Sequence, residues 1–239
     1  MAGSWLTIPL VKKVQNSSDA WNFHFKKPDG FVYQAGQYIE MRLDIPNPDD
    51  RGISRYFTLS SSPTEDHLMV TTRILKSSFK LKLGSLDVEQ EVKIKGPWGD
   101  FVLPEDNSKN LVFIAGGIGM TPFRSMIRYA ADSGIKNNIK LLVSYKTPDQ
   151  ILYKEELEGI VKNNPQIKII PTITQPEGTG WKGEMGRIDE KYIEKHIDNL
   201  GNSVYYVAGP DPMVEAMQKL LQGMGIRDGQ ILSDGFPGY

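Results

Sequence analysis

The chain has 239 residues, 39% of them hydrophobic and 24% charged, which is enough to bury one large core or two small ones and excludes disordered and fibrous classes. The 28 Lys and Arg residues against 29 Asp and Glu leave a net charge of -1, without the basic excess that nucleic-acid binding exploits, so DNA and RNA are not expected partners. There is no cysteine, which removes disulfides, thiolate zinc sites, cysteine-held iron–sulfur clusters and a cysteine nucleophile.

The opening Met1-Ala2-Gly3-Ser4-Trp5 lacks the charged head and apolar run of a signal peptide. No stretch of about 18 apolar residues follows, so the expectation is a cytoplasmic protein without membrane contact. Up to about residue 104 the apolar pattern has period two. Trp21, Phe23 and Phe25 alternate with polar neighbours; Tyr38 to Leu43 and Leu68 to Ile74 are β-rich, and Pro28-Asp29-Gly30 and Pro46-Asn47-Pro48 mark turns. This half reads as an antiparallel β-barrel over residues 1–105. One helix interrupts it, with Ser77-Ser78 as the cap, Phe79 to Leu83 as the body and Gly84 as the stop. His24, His67 and His196 have no metal-ligand spacing, His24 is expected to face water, and no metal is expected.

After Pro104-Glu105-Asp106-Asn107-Ser108 the rhythm becomes β-α alternation. Leu111 to Ala115, Ile139 to Ser144, Ile167 to Ile173 and Val204 to Val207 read as buried strands, each followed by helical spacing. Residues 106–239 are therefore expected to form a doubly wound parallel sheet. Phe123, Met126, Ile127 and Ala130 form one apolar helix stripe, and Met213, Met217, Leu220, Leu221 and Met224 another; the methionines read as core filler.

Five segments carry chemical potential. In Arg55-Tyr56-Phe57-Thr58, Arg55 and Phe57 point to one side of a strand about 7 Å apart, which suits a flat, phosphorylated ligand. Ser77-Ser78 opens a helix, where free N–H groups and the dipole attract phosphate. Leu111 to Phe123 runs from an apolar strand through Gly116-Gly117-Ile118-Gly119 into a helix, a turn that lets backbone approach a pyrophosphate. It departs from G-x-G-x-x-G by placing Pro122 at the third glycine, where the first helical turn tolerates it. Val207-Ala208-Gly209-Pro210-Asp211-Pro212-Met213 is a second strand-to-helix junction, and Ser233 to Tyr239 is a glycine- and aromatic-rich ending.

In this order the segments resemble the ferredoxin–NADP reductase superfamily over nearly the whole chain, with Gly96-Pro97-Trp98-Gly99 matching the family's barrel-closing Gly-Pro-x-Gly. The resemblance implies an FAD-binding barrel, with FMN as a lesser alternative, and an NAD(P)-binding α/β domain. It implies Arg55 on the flavin diphosphate, Phe57 stacked on the isoalloxazine, Thr58 near its N5, Ser77 and Ser78 on the pyrophosphate, and Gly116, Gly117, Gly119 and Thr121 on the pyridine nucleotide. Tyr56, Thr72, Arg73, Pro122, Lys146, Gly209, Pro210, Met213 and Phe236 complete the expected cofactor-binding set. Thr58, Asp234 and Phe236 are expected at the reacting centre, with Phe236 or Tyr239 shielding the flavin.

Three positions depart from the family pattern. Phe57 stands for the usual tyrosine, Ala208 for the usual cysteine before Gly-Pro, and Leu75-Lys76 precede the serines where a glycine is common. A ribose-binding carboxylate is expected about 20 residues after the glycines, but Val143-Ser144-Tyr145-Lys146-Thr147 offers a cation instead. This tilts the choice toward NADPH over NADH, although Lys146 is equally readable as a solvated lysine. The expected activity is hydride transfer from NAD(P)H to FAD and onward electron transfer to a separate ferredoxin, flavodoxin or similar protein. A reductase of free flavin, an electron-transfer subunit of a larger complex and a pure nucleotide-binding module are the alternatives.

Overall fold

In the computed structural model, which describes residues 4–106 and 108–236, the first half forms β1 (Leu6–Gln15), β2 (Ala20–Lys26), β3 (Tyr38–Arg42), β4 (Ser54–Thr58), β5 (His67–Arg73) and β6 (Glu91–Trp98). The strands pair antiparallel in the order β4-β3-β6-β1-β2-β5. Alternation sorts the side chains, so that Phe23 and Phe25 of β2, Ile39 and Met41 of β3, and Val92 and Ile94 of β6 meet in one core. Full burial of each such side chain contributes about 1.5–3 kcal/mol. Beyond β4 the chain folds back toward β5, with the Ser60 N–H donating to the Met69 carbonyl at 2.8 Å, which makes the sheet barrel-like.

The interrupting helix α1 (Ser78–Gly84) begins where the Ser77 hydroxyl accepts from the Lys80 N–H at 3.2 Å. Phe79, Lys80 and Leu83 form its buried face. Gly84, expected as the stop, is the last helical residue, and Ser85 closes the helix through its N–H to the Leu81 carbonyl. His24 also departs from expectation. It is half-buried, its ring 4.7 Å from that of His67, and burial followed by the charge of His67 lowers its pKa to about 4.

The second half forms β7 (Asn110–Gly116), α2 (Met120–Asp132), β8 (Ile139–Tyr145), α3 (Lys154–Asn163), β9 (Ile167–Ile173), β10 (Glu184–Met185), α4 (Glu190–His196), β11 (Ser203–Gly209), α5 (Asp211–Gly223) and β12 (Ile231–Gly235). These strands are parallel in the order β10-β9-β8-β7-β11-β12. Both faces are covered, as the continuous apolar strands require. Leu111, Phe113 and Ala115 of β7 pack with Phe123, Met126 and Ile127 of α2, while Val112 and Ile114 pack with Val214, Met217 and Leu221 of α5. Chain order reverses between β7 and β11, and a crevice at the carboxyl ends of the strands is the consequence of that reversal.

Arg124 of α2 joins the two sheets. Its guanidinium is 5% exposed and donates to the Ser60 carbonyl at 3.0 Å, to Glu65 and to Glu156 of α3. Burial alone would raise the Glu65 carboxyl, but the hydrogen bond and charge of Arg124 outweigh it and hold it below the usual range. The Ser125 hydroxyl adds a bond to the Ser61 carbonyl at 2.6 Å. Arg124→Ala leaves two carboxylates facing each other without their counter-ion, and is expected to lower the unfolding free energy by about 3–5 kcal/mol in urea titrations. A loss below about 1 kcal/mol would show that water replaces the guanidinium.

Candidate active site

A cleft of about 820 Å³ opens where the reversal point of the parallel sheet meets the barrel. Tyr38, Arg51, Ser54, Arg55, Tyr56, Phe57, Thr58, Thr71, Leu75, Ser77 and Lys80 line one wall, and Ile118, Thr121, Asp234, Gly235 and Phe236 line the other. The volume is that of a site for a large organic ligand.

One end of the cleft is built for an anion. Asp49 already shows this, because its carboxylate accepts from the Ser78 N–H at 2.8 Å and from Arg55 Nη2 at 3.3 Å, and its N–H donates to the Ser78 hydroxyl at 2.9 Å. Hydrogen bonds from Ser78 lower the Asp49 carboxyl below the usual carboxylate range, so it stays charged at neutral pH. Arg55 is held by the carbonyls of Arg51, Gly52 and Ser54 through Nη1, while its buried Nε has no hydrogen-bond partner among the described residues.

The aromatic rings divide between the two faces of β4. Phe57 turns inward, 5% exposed, with Phe79 at 5.8 Å and the Lys80 ammonium 4.6 Å from its ring centroid. Tyr56 turns outward, 67% exposed, and meets Tyr38 at 5.8 Å and Trp98 at 6.4 Å. Thus Phe57 borders the cleft from within the core, and Tyr56 is the more accessible aromatic surface.

Across the cleft, the turn from β7 into α2 is a single 3-10 turn over Gly117–Gly119. Gly117 has φ +51, a conformation that suits glycine, and a Cβ at Gly119 would strike the Ala208 carbonyl of β11. Thr121 is buried and its hydroxyl donates to the Ile118 carbonyl at 3.1 Å, while Pro122 sits in the first turn of α2 as expected. Asp234 lies beside Ala208 across the β11–β12 pair. Burial, then the charge of Asp100, raises its pKa to about 6.

Of the expected site residues, Arg55, Tyr56, Phe57, Thr58, Ser77, Thr121, Asp234 and Phe236 line the cleft. Ser78 is adjacent through its bond to Asp49, and Gly117 and Gly119 shape the turn behind Ile118. Thr72, Arg73, Gly116, Pro122, Lys146, Gly209, Pro210 and Met213 do not line it. Thr72 is fully buried beside Lys80, and Arg73 is paired with Asp19 at 2.7 Å and packed on Gly117. Met213 presses on Gly116, the Phe236 N–H donates to the Gly209 carbonyl at 2.9 Å, and Lys146 is exposed. Tyr239 lies outside the described residues. Tyr38, Arg51, Ser54, Thr71, Leu75, Lys80, Ile118 and Gly235 are the lining residues that sequence reasoning missed. For Lys80 the signal was present, because helical spacing puts it on one face with Phe79 and Leu83.

Family models match in the same two halves. The oxidoreductase FAD-binding domain matches residues 7–103, and the oxidoreductase NAD-binding domain matches residues 113–219. The chain belongs to the ferredoxin–NADP reductase superfamily. It thus carries the FAD-binding and NAD-binding domains of an oxidoreductase family. It is 26% identical over 241 residues to a flavohemoprotein of Oceanobacillus iheyensis, covering 96% of this chain and 59% of that protein. It is 26% identical over 225 residues to the glycine betaine monooxygenase reductase subunit of Chromohalobacter salexigens, covering 91% and 60%. The chain therefore spans about three-fifths of these relatives. The cytochrome b5 reductase domain of Ulva prolifera nitrate reductase shares the fold with a TM-score of 0.84 at 24% identity, covering 98% of each chain. A ferredoxin NADP+ reductase from Neisseria gonorrhoeae with bound FAD and NADP has a TM-score of 0.82 at 18% identity, covering 97% of this chain and 98% of that one. No described helix is long and apolar enough to cross a membrane, and no described group of His, Asp and Glu is suited to hold a metal ion.

The raised Asp234 carboxyl has a stability consequence. A carboxyl whose folded pKa exceeds its unfolded value stabilises the fold below the unfolded value of about 3.9, and that contribution is lost as pH rises through about 6. Asp234→Asn is therefore expected to raise stability at pH 7–8 by about 1–3 kcal/mol relative to the parent, with the gap shrinking as pH falls to 4. Urea midpoints of the two proteins across that range check it; a gap independent of pH contradicts it.

Proposed function

We propose that the chain moves a hydride from NAD(P)H to FAD held in the cleft and then passes electrons to a separate redox protein of the ferredoxin or flavodoxin kind. The observation that carries this reading is the pairing of an anion seat and aromatic rings on the barrel wall with a glycine turn and strand ends on the facing wall. In this reading Arg55, Ser77 and Ser78 hold the diphosphate, displacing the Asp49 carboxylate that now fills the Arg55 and Ser78 donors. Phe57 stacks on the conjugated ring, Tyr56 contributes to the same cofactor wall from the outer face of β4, Thr58 stands near the reacting edge, and Phe236 covers the ring from the end of β12. Gly117, Gly119 and Thr121 accept the nucleotide, and Asp234 and Phe236 border the meeting point. When bound, FAD supplies the redox chemistry. The protein aligns the two rings and excludes water, and no general base is needed.

The division is placed between residues 105 and 106, with 1–105 holding FAD and 106–239 holding the nucleotide. A protein acceptor is supported by similarity to a glycine betaine monooxygenase reductase subunit and to the reductase component of propane 2-monooxygenase. A cytoplasmic location accompanies this reading.

A visible spectrum of the purified protein tests the core of the proposal. The expected outcome is a flavin absorbance that bleaches on anaerobic addition of NADPH or NADH, and a protein that, as Arg55→Ala, retains FAD at least tenfold more weakly. A colourless protein that neither binds FAD nor reacts with either nucleotide refutes it.

Nucleotide choice turns on Lys146, which is exposed just past the end of β8. A cation there favours the 2′-phosphate of NADPH. Lys146→Ala is expected to raise KM for NADPH about three- to tenfold, in line with the loss of one exposed charge pair, and to leave KM for NADH unchanged. Equal effects on both nucleotides would remove Lys146 from the specificity argument.

A further inference from the structure

Lys80 is the one lysine in the lining of the cleft, and its setting is unfavourable to a charge in three respects. It is 5% exposed, it occupies the first turn of α1 where the helix dipole repels a cation, and it shares the cleft wall with Arg51 and Arg55. Its ammonium stands over the Phe57 ring and bonds to the Thr72 hydroxyl. Burial, followed by the charges of Arg55 and Arg51, brings its pKa down to about 7. An anionic ligand in the cleft reverses that balance, because it neutralises the arginines and gives the ammonium an opposite charge in a medium where such a charge is weakly screened.

We propose that Lys80 favours the reduced form of the bound flavin and so sets how readily the ring accepts a hydride. The inference rests on the flavin reading given above. Hydride transfer breaks the C4–H bond of the dihydronicotinamide, forms a bond to hydrogen on the flavin and moves an electron pair with it. The nucleotide leaves one unit more positive, and the flavin becomes one unit more negative. A cation fixed beside Phe57, where the conjugated ring is placed, therefore stabilises the product of this step more than the reactant. Arg55 and the serines hold a diphosphate whose charge does not change, so they contribute to affinity without the same bias. Lys80 is distinct in standing three residues beyond the α1 cap, against the ring seat.

The test compares the midpoint potential of protein-bound FAD in the parent, K80M and K80R by dye equilibration. Methionine keeps the length of the side chain and removes the charge; arginine keeps the charge. In K80M the preference for reduced over oxidised FAD is expected to fall about tenfold, a shift of about 30 mV to more negative potential for a two-electron couple. K80R is expected to stay within about threefold of the parent. If K80M releases its flavin, separate dissociation constants for oxidised and reduced FAD give the same ratio by linkage. An unchanged potential or ratio in K80M, or an equal shift in K80R, overturns the inference while leaving FAD binding in place. Failure of the parent to bind FAD overturns the flavin reading instead.

Discussion

Arg124 holds the cleft in shape. The helix that carries it, α2, begins at the glycine turn on the parallel-sheet wall of the cleft, and Thr121 and Arg124 are less than one turn apart on that helix. Where Arg124 grips Glu65 and the Ser60 carbonyl, it fixes the start of α2 against the chain that leaves β4, the strand of Arg55 and Phe57. The walls of the cleft are thus tied together away from the cleft itself, by this buried guanidinium, the adjacent Ser125 bond and further hydrogen bonds such as Tyr153 N–H to Asn16 and Gln150 to Asp19. The burial of three charges in such a contact is costly unless every donor and acceptor is used, and the geometry meets that condition on both carboxylates. The site is therefore framed before any ligand arrives, which lowers the ordering cost of binding two cofactors.

The two halves were legible in the sequence because their hydrophobic periods differ. Period two in Trp21 to Phe25 can only sort one face of a strand inward, and unbroken runs such as Leu111 to Ala115 need cover on both faces. The strand from Ile167 to Ile173 falls where the pattern placed it, and β7 and β11 run one or two residues longer at their ends. The walls of the cleft were legible in part, through Arg55, Ser77, Thr121 and Phe236. What was not legible depends on the turn of each side chain about its strand and on distant pairing. Tyr56 and Phe57 are neighbours in sequence, yet one is open to solvent and one is core, as alternation on β4 demands. Arg73 has the charge of a phosphate ligand, but Asp19 lies within 2.7 Å of it across the β2–β5 pair, a partner that no local pattern reveals.

The cleft is electrically asymmetric. Arg51, Arg55 and Lys80 collect on the barrel wall, and Asp234 with Asp100 nearby marks the end of β12. Asp49 is the internal counter-charge of the cationic side, a half-buried carboxylate held by the Ser78 N–H and the Arg55 guanidinium. A dianion with several oxygens outcompetes one carboxylate for those donors because each charge-assisted bond is stronger than a neutral one and a diphosphate makes more of them. A diphosphate in the cleft would therefore exchange with Asp49 at these donors.

Ala208 narrows the chemistry at the other end. Where relatives of the resembled pattern place a thiol, this chain has a methyl group, and the Ala208 carbonyl is occupied in packing against Gly119. The polar side chain nearest in the strand pairing is Asp234, whose carboxyl titrates at about 6. Near pH 6 it therefore holds both forms in comparable amounts, at neutral pH the carboxylate prevails, and only the protonated form donates a hydrogen bond. Drying the cleft further, as a stacked pair of rings does, penalises the carboxylate and shifts Asp234 toward its neutral form. Asp234, the strand partner of Ala208, is thus a polar group whose donor capacity rises as the cleft is dried.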